Sequence, residues 1–447
     1  MAGSRRRRQL QRQRERQLAP TAAAAAAPAT AGQFQVQHLP SDLLSEIHHR
    51  LAFLTRLAFA SVCAASGHRL KPETPWLILP AENEVLSLAD RESATVRTSD
   101  VAMRGHVAIG SAGGWLVTAD DRGALRMTNP ATGAHADLPA ITTVPFIHPV
   151  SGGHWFCLHV EPFLQVRFGG QPPPPTTERR DDFSRGRTYT VTAAQMRQVF
   201  YRKVILSESP RPNSYAAMLI MDRCTGAPAF ATAEDPSWRM ARSPDAVEDA
   251  IHHDGRFLSI TYTGRVEAWQ RDAVTGEFTS GEVAPRLAYE DKHLRRKYLA
   301  ASTDGRLMAV LKHAKEEHND DRYSRGKRTR VFFKVQILDR VKGRWEEAAD
   351  IGDTALFVGV NGSLCLSTRD HQGIRPGCVY FTDDEVGAAC LKKANCQERS
   401  YSYGQADDPE LRDVGLYNLK AGRVETIRSL GEHQLWPPPA WFTPSFL

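Results

Sequence analysis

Histidine and cysteine are the side chains best equipped for chemistry in this sequence, and their spacing decides what they can do. His48–His49 and His252–His253 are adjacent pairs. Two helical residues share a face only when three or four positions apart, so neither pair matches a metal-binding helix. The seven cysteines (63, 157, 224, 365, 378, 390 and 396) contain no Cys-x-x-Cys, and the closest two, Cys390 and Cys396, have no histidine at zinc-finger spacing. An odd set of unpaired thiols points to a reducing compartment. Gly326-Lys327 lacks the upstream glycine and downstream hydroxyl of a phosphate loop, and no Gly-x-Ser-x-Gly elbow occurs. Asn361-Gly362-Ser363 fits a glycosylation acceptor, but without a secretory signal it reads as a hairpin turn. These residues predict a chain that is not an enzyme, with no catalytic, metal-binding or cofactor-binding residue.

Charge narrows the possible partners. The formal net charge is +6 over 447 residues. Arg5, Arg6, Arg7, Arg8, Arg12, Arg14 and Arg16 against Glu15 account for all of it, so the remainder is neutral. A neutral body gives no reason to expect nucleic-acid binding. No run of about 18 apolar residues suggests a membrane span. The first residues also lack a secretory apolar stretch. Residues 1–37, an Arg/Gln run followed by an Ala/Pro/Thr run, are expected to be a disordered tail. Its arginines suit a nuclear-localisation patch or an organellar transit segment, so the expected location is nucleus or cytoplasm, with mitochondrion or chloroplast as the alternative.

Two textures follow. In residues 38–80 the spacing of Leu43, Leu44, Ile47, Leu51 and Leu54 predicts one amphipathic helix, with Pro40 in its first turn. Thr55 is the predicted N-cap of a second helix, and Gly67 its stop. Residues 81–447 instead carry short apolar runs broken by turn residues. One turn recurs as Asp/Asn, three residues, Gly: Asn129–Gly133, Asp222–Gly226, Asp272–Gly276, Asp339–Gly343 and Asn418–Gly422. A second motif puts Asp/Asn-Gly before an apolar strand at Asp254-Gly255, Asp304-Gly305 and Asn361-Gly362, with a degenerate copy at Gly113-Gly114. Repeats of this kind predict a mainly β, propeller-like domain of about six or seven blades behind a small helical module. Residues 171–187 and 314–330 read as exposed, charged loops. Trp115, Trp155, Trp238, Trp269 and Trp345 are better explained as blade-core residues than as a recognition surface.

Leu39-Pro40-Ser41-Asp42-Leu43-Leu44-Ser45-Glu46-Ile47, continuing to Ser61-Val62-Cys63, resembles the F-box. Pro75-Trp76-Leu77-Ile78-Leu79-Pro80, Gly113-Gly114-Trp115-Leu116, Asn129-Pro130-Ala131-Thr132-Gly133, His253-Asp254-Gly255-Arg256-Phe257 and the ending Pro437-Pro438-Pro439-Ala440-Trp441-Phe442-Thr443-Pro444-Ser445 look like plant F-box proteins with a KIB-type β-propeller. The resemblance implies a non-catalytic substrate-receptor subunit of a Skp-cullin-F-box ubiquitin ligase, whose propeller binds a target protein. It implies that Leu39, Pro40, Leu44, Ile47, Leu51, Leu57, Val62 and Cys63 form or support the contact with a Skp-type adaptor. Thr55, Ala64 and Ser66 depart from the family, which usually has Trp at the last of these positions. A propeller interaction module with a decayed F-box, acting outside the ligase, is the alternative.

Overall fold

The computed structural model describes residues 39–68, 70, 72–79, 84–88, 93–95, 106–120, 122–150, 155–159, 188–222, 227–241, 243, 245–287, 291–318, 327–371, 373–384, 414–425, 427 and 437–445. The predicted disordered tail and the predicted loop at 171–187 lie outside these residues.

Two helices come first. α1 (Ser41–Arg50) follows Pro40, whose carbonyl accepts from the Leu44 amide at 3.1 Å. α2 (Phe53–Ala65) begins after an extended Leu51 and Ala52, so the predicted single helix through Leu54 is broken here. Ala52 occupies the N-cap and makes no side-chain cap bond, which corrects the prediction for Thr55, an interior residue of α2. Gly67 does stop the helix. With φ of 84° it lets the amides of Gly67 and His68 reach the carbonyls of Ala64 and Cys63, the paired bonds of a left-handed C-terminal cap.

The strands form six blades and one inserted sheet. β1 (Trp76–Leu79), β2 (Glu84–Ser87) and β3 (Ser93–Thr95) start blade 1. Blade 2 comprises β4 (Val107–Ala112), β5 (Trp115–Ala119), β6 (Leu125–Thr128) and β7 (His135–Asp137). An added three-stranded sheet of β8 (Ile147–Pro149), β9 (Trp155–His159) and β10 (Thr188–Thr192) follows. Blade 3 holds β11 (Tyr201–Leu206), β12 (Ala216–Met221), β13 (Ala229–Thr232) and β14 (Arg239–Met240). Blade 4 holds β15 (Val247–His253), β16 (Arg256–Thr261), β17 (Val266–Arg271) and β18 (Phe278–Ala284). Blade 5 holds β19 (Leu294–Ala301), β20 (Leu307–His318), β21 (Lys327–Asp339) and β22 (Arg344–Ala348). Blade 6 has five strands, β23 (Thr354–Val358), β24 (Leu364–Ser367), β25 (Cys378–Phe381), β26 (Gly415–Asn418) and β27 (Arg423–Glu425), with β23 parallel to β25. Finally β28 (Ala440–Phe442) returns to pair with β1, Phe442 opposite Trp76, closing the ring between its first and last described strands. β1 therefore belongs to the propeller, and the expected boundary at residue 80 falls within blade 1.

The inserted sheet stands outside the ring because β4 lies directly on β11: a Cβ on Gly110 would come within 2.1 Å of the Val204 carbonyl oxygen. Apolar clusters fill the spaces between neighbouring blades. Phe230 and Ile205 meet Trp269 and Val247 between blades 3 and 4. Tyr298 and Val310 meet Leu356 and Phe381 between blades 5 and 6, and Phe357 meets Trp441 and Leu77 across the closure. A fully buried aliphatic or Phe side chain is worth about 1.5–3 kcal/mol, so these faces bind the blades together.

Where they are described, both repeated motifs are turns. Asp272 Oδ1 accepts the amides of Val274 and Thr275, and Asp339 Oδ1 those of Val341 and Lys342. The glycines closing them, Gly276 and Gly343, have φ of 70° and 62°. The Asp254-Gly255 turn has both residues at positive φ, 50° and 74°, the twist that suits a two-residue hairpin. The 314–330 stretch, expected to be a loop, is corrected. Its described part continues the β20–β21 hairpin, from Ala314↔Val331 to His318↔Lys327. Of the tryptophans, Trp115, Trp238 and Trp269 are buried, and Trp269 Nε1 donates to Ser259 Oγ at 2.8 Å inside blade 4. The Trp155 side chain lies outside the described residues.

Candidate functional site

The resemblance-derived residues divide by accessibility. Leu44, Leu57 and Cys63 are buried, and Leu39 and Leu51 are half-buried. Pro40, Ile47 and Val62 face solvent, together with Leu43, which the family resemblance did not select. Leu43 and Val62 are each 51% exposed and Ile47 38%, so α1 and α2 present large apolar side chains to water. Leu43 and Ile47 are one helical turn apart and share a stripe.

Behind this surface the helices are fixed to the propeller. Phe53 stacks on Trp76 with ring centroids 3.7 Å apart, and Leu57 joins the same core. Arg56 donates from Nε and Nη2 to the two carboxylate oxygens of Glu73 at 2.6 and 3.2 Å, with both side chains about nine-tenths buried. This fork geometry holds orientation as well as charge. His48 Nε2 lies 3.8 Å from Glu73, but burial lowers its pKa against the attraction of that carboxylate.

Topology fixes where the helices sit. Trp76 opens β1 beside Phe442, and beyond it the Ser445 carbonyl accepts from Asn129 Nδ2 at 2.9 Å next to Gly114. The helices thus lie on the face bearing the Gly113-Gly114 and Asn129–Gly133 turns of blade 2. In a four-stranded meander the first and third turns lie at one end, so the β20–β21 connection of blade 5 and the inserted sheet between blades 2 and 3 emerge on the opposite face.

A second polar assembly lies at the axis, and sequence reading did not find it. Lys203 on β11 and Asp249 on β15 are fully buried and meet at 2.5 Å. The other Asp249 oxygen accepts from the Leu299 amide of β19 at 2.9 Å and from Ser363 Oγ at 3.1 Å, so one carboxylate joins blades 3, 4, 5 and 6. Gly362, beside Ser363, donates its amide to the Ser111 carbonyl of blade 2 at 3.2 Å, and Ser111 Oγ donates to the Trp441 carbonyl of blade 1 at 2.7 Å. Nearby, Asp384 accepts from Tyr298 Oη at 2.6 Å and Lys312 Nζ at 3.1 Å and pairs with Arg296 at 3.1 Å. Burial opposes ionisation of Asp384, yet Lys312 and Arg296 hold its carboxyl well below the usual carboxylate range. Burial lowers the Lys203 ammonium despite Asp249, and raises the Glu248 carboxyl despite Lys297 at 2.6 Å. The signal was present as charges inside apolar strands, Tyr-Arg-Lys-Val-Ile-Leu and Val-Glu-Asp-Ala-Ile, but the pairing is not local.

These groups pair with one another and serve as internal fasteners. Among the described residues no three His, Cys, Asp or Glu side chains gather to hold a metal. His252 packs edge-on against Phe257 and His253 lies 3.4 Å from Asp254, which accounts for that pair in blade 4.

Comparison with known proteins gives three results. A family model described as the KIB1-4 β-propeller matches residues 85–418. A curated F-box protein of Arabidopsis thaliana is 27% identical over 232 residues, which cover 47% of this chain and 49% of that protein. The chain thus spans about half the length of this curated relative. Among solved structures, hydrazine synthase from Kuenenia stuttgartiensis aligns over 69% of this chain and 85% of its own, at 11% identity and a TM-score of 0.28. U3-55K aligns over 62% and 55%, at 9% identity and a TM-score of 0.26. Scores this low carry no argument about function.

Proposed function

This chain belongs to the KIB1-4 β-propeller family, and from that premise we propose that it is a non-catalytic substrate receptor of a Skp-cullin-F-box ubiquitin ligase. The observation that supports this reading most is the solvent-facing apolar set Leu43, Ile47 and Val62 on two helices anchored to the propeller. Exposed aliphatic side chains cost free energy in water and recover it at an interface. In this reading Pro40, Ile47 and Val62 touch a Skp-type adaptor, Leu43 adds to the contact, and Leu44, Leu57 and Cys63 support it from within. The opposite face receives a target protein. Tethering then raises the target's effective concentration at the ligase, and no bond is made or broken by this chain. The work would take place in the nucleus or cytoplasm.

Binding of a purified Skp-type adaptor, followed by calorimetry, tests the reading. The native chain binds at micromolar concentration or tighter. Leu43→Asp/Ile47→Asp abolishes binding while the melting temperature stays unchanged. A folded native chain that binds no such adaptor overturns the ligase role and favours a propeller module with a decayed F-box, consistent with Ser66 at a position where the family usually has Trp.

A further inference from the structure

The innermost strands of blades 2–5, β4, β11, β15 and β19, touch in turn around the axis. Each slips its register against the next strand of its blade near its own start, at Ala108/Gly110, Tyr201/Lys203, Val247/Asp249 and Leu294/Arg296. A bulge of this kind re-aims the side chains beside it. Three of the four bulges carry buried charges, Lys203, Asp249 and Arg296. These strands run toward the first turns of their blades on the helix face, so their starts lie on the opposite face. Lys203 Nζ and Arg296 Cζ, from blades 3 and 5, approach the same Tyr298 ring, 5.5 and 5.8 Å from its centroid.

Arg296 differs from the other axial charges in its bonding. The Asp249 oxygens accept from Lys203, Leu299 and Ser363, and the Glu248 oxygens accept from the Lys297 amide at 3.0 Å and its Nζ at 2.6 Å. Asp384 accepts from Tyr298 through Oδ2 and from Lys312 through Oδ1. The Arg296 side chain is only 5% exposed and its Nε lies 3.1 Å from Asp384 Oδ2, yet that nitrogen makes no hydrogen bond. Among the described residues none accepts a hydrogen bond from the rest of the guanidinium. Buried donors without acceptors cost free energy, which a bound acceptor recovers.

We propose that the axial end of β19 binds one small oxyanion, a carboxylate or phosphate group, through the Arg296 guanidinium. The planar fork offers parallel N–H groups to two oxygens of such a group, a match that a spherical ion lacks. Asp384 and Glu248 oppose an anion here, but Lys312 and Lys297 engage them, and Lys203 lies nearby. Lys203, Glu248, Tyr298, Lys312 and Asp384 are all buried, which restricts the site to small ions. The inference goes beyond the receptor reading and stands whether or not the chain joins a ligase.

Calorimetric titrations and melting curves of the full-length protein test it, with acetate, inorganic phosphate and chloride at matched ionic strength. Acetate or phosphate should bind at one site per chain with Kd of about 1 mM or below, and should raise the melting temperature saturably. Chloride should do neither. The tighter of the two oxyanions assigns the ligand as carboxylate or phosphate. Arg296→Met should abolish binding, and Arg296→Lys, which keeps the charge and loses the fork, should weaken it about tenfold. Absence of binding by both oxyanions overturns the proposal. So does an equal effect of chloride, or an undiminished affinity in either variant that folds. If Arg296→Met does not fold, Arg296→Lys and the native titration decide.

Discussion

Asp249 accepts hydrogen bonds from three different blades while sitting on a fourth. Removing its charge leaves Lys203 buried without its hydrogen-bonded partner, and breaking a buried pair from one side costs about 3–5 kcal/mol. Asp249→Ala should lower the unfolding free energy by about that amount in a urea titration. Lys203→Met/Asp249→Asn keeps an acceptor for Leu299 and Ser363 and should recover most of the loss; if the double variant is no better than the single, the pair is not the source. Asp384 predicts a pH dependence. Its folded pKa is depressed, so the unfolded chain takes up the proton first. Its stabilisation is therefore complete above the ordinary carboxylate pKa of about 4 and declines as pH falls below that value. Asp384→Asn should lose stability at neutral pH and show a shallower decline than the native chain below about pH 4, in melting curves taken across that range.

The inner strands need close approach and the helices need an anchor. At Gly110 any Cβ collides with the Val204 carbonyl, so Gly110→Ala should cost about 3 kcal/mol, the upper part of the range for overpacking. Gly281 on β18 has open space around it, and Gly281→Ala should change stability by less than about 1 kcal/mol. Equal melting temperatures for the two variants would count against the direct packing of β4 on β11. For the helices, Phe53→Ala removes the ring stacked on Trp76, a change of the type that costs about 3–5 kcal/mol. It should expose α1 and α2 to protease before the propeller, unlike Leu43→Asp/Ile47→Asp. Leu44 is a poor probe of docking, because its side chain is wholly buried and a charge there would disrupt the helical pair itself.

Ring closure depends on three residues near the C-terminus. β28 supplies the inner strand of blade 1, with Trp441 buried against Leu77 and blade 6 and Phe442 buried in the core that holds Trp76. A chain ending at residue 436 should lose cooperative unfolding and become sensitive to protease throughout, since blades 1 and 6 would both present apolar faces to water. Persistence of a single sharp transition would contradict closure by this strand. The far-UV spectrum of the intact chain should be β-dominated, with helix well below the globular average of about one third.

Sequence alone determined the features whose physics is local. Asp or Asn accepting nearby amides, followed by a glycine at positive φ, makes Asp272–Gly276 and Asp339–Gly343 turn wherever the rest of the chain lies, so the repeat and the propeller were legible. Gly67 ended its helix for the same reason. Tertiary structure decided what depends on distant partners. Residues 314–318 and 327–330 look like a loop by polarity, yet main-chain pairing across the hairpin makes them strands although Ala314 is the one apolar residue among them. The F-box pattern located the helices, but only tertiary packing, which puts Phe53 and Leu57 in one core with Trp76, separated the buried Leu44, Leu57 and Cys63 from the exposed Ile47 and Val62. Lys203 and Asp249 are 46 residues apart in sequence and 2.5 Å apart at the axis; no local rule pairs them, because the blades bring them together only after the ring has formed.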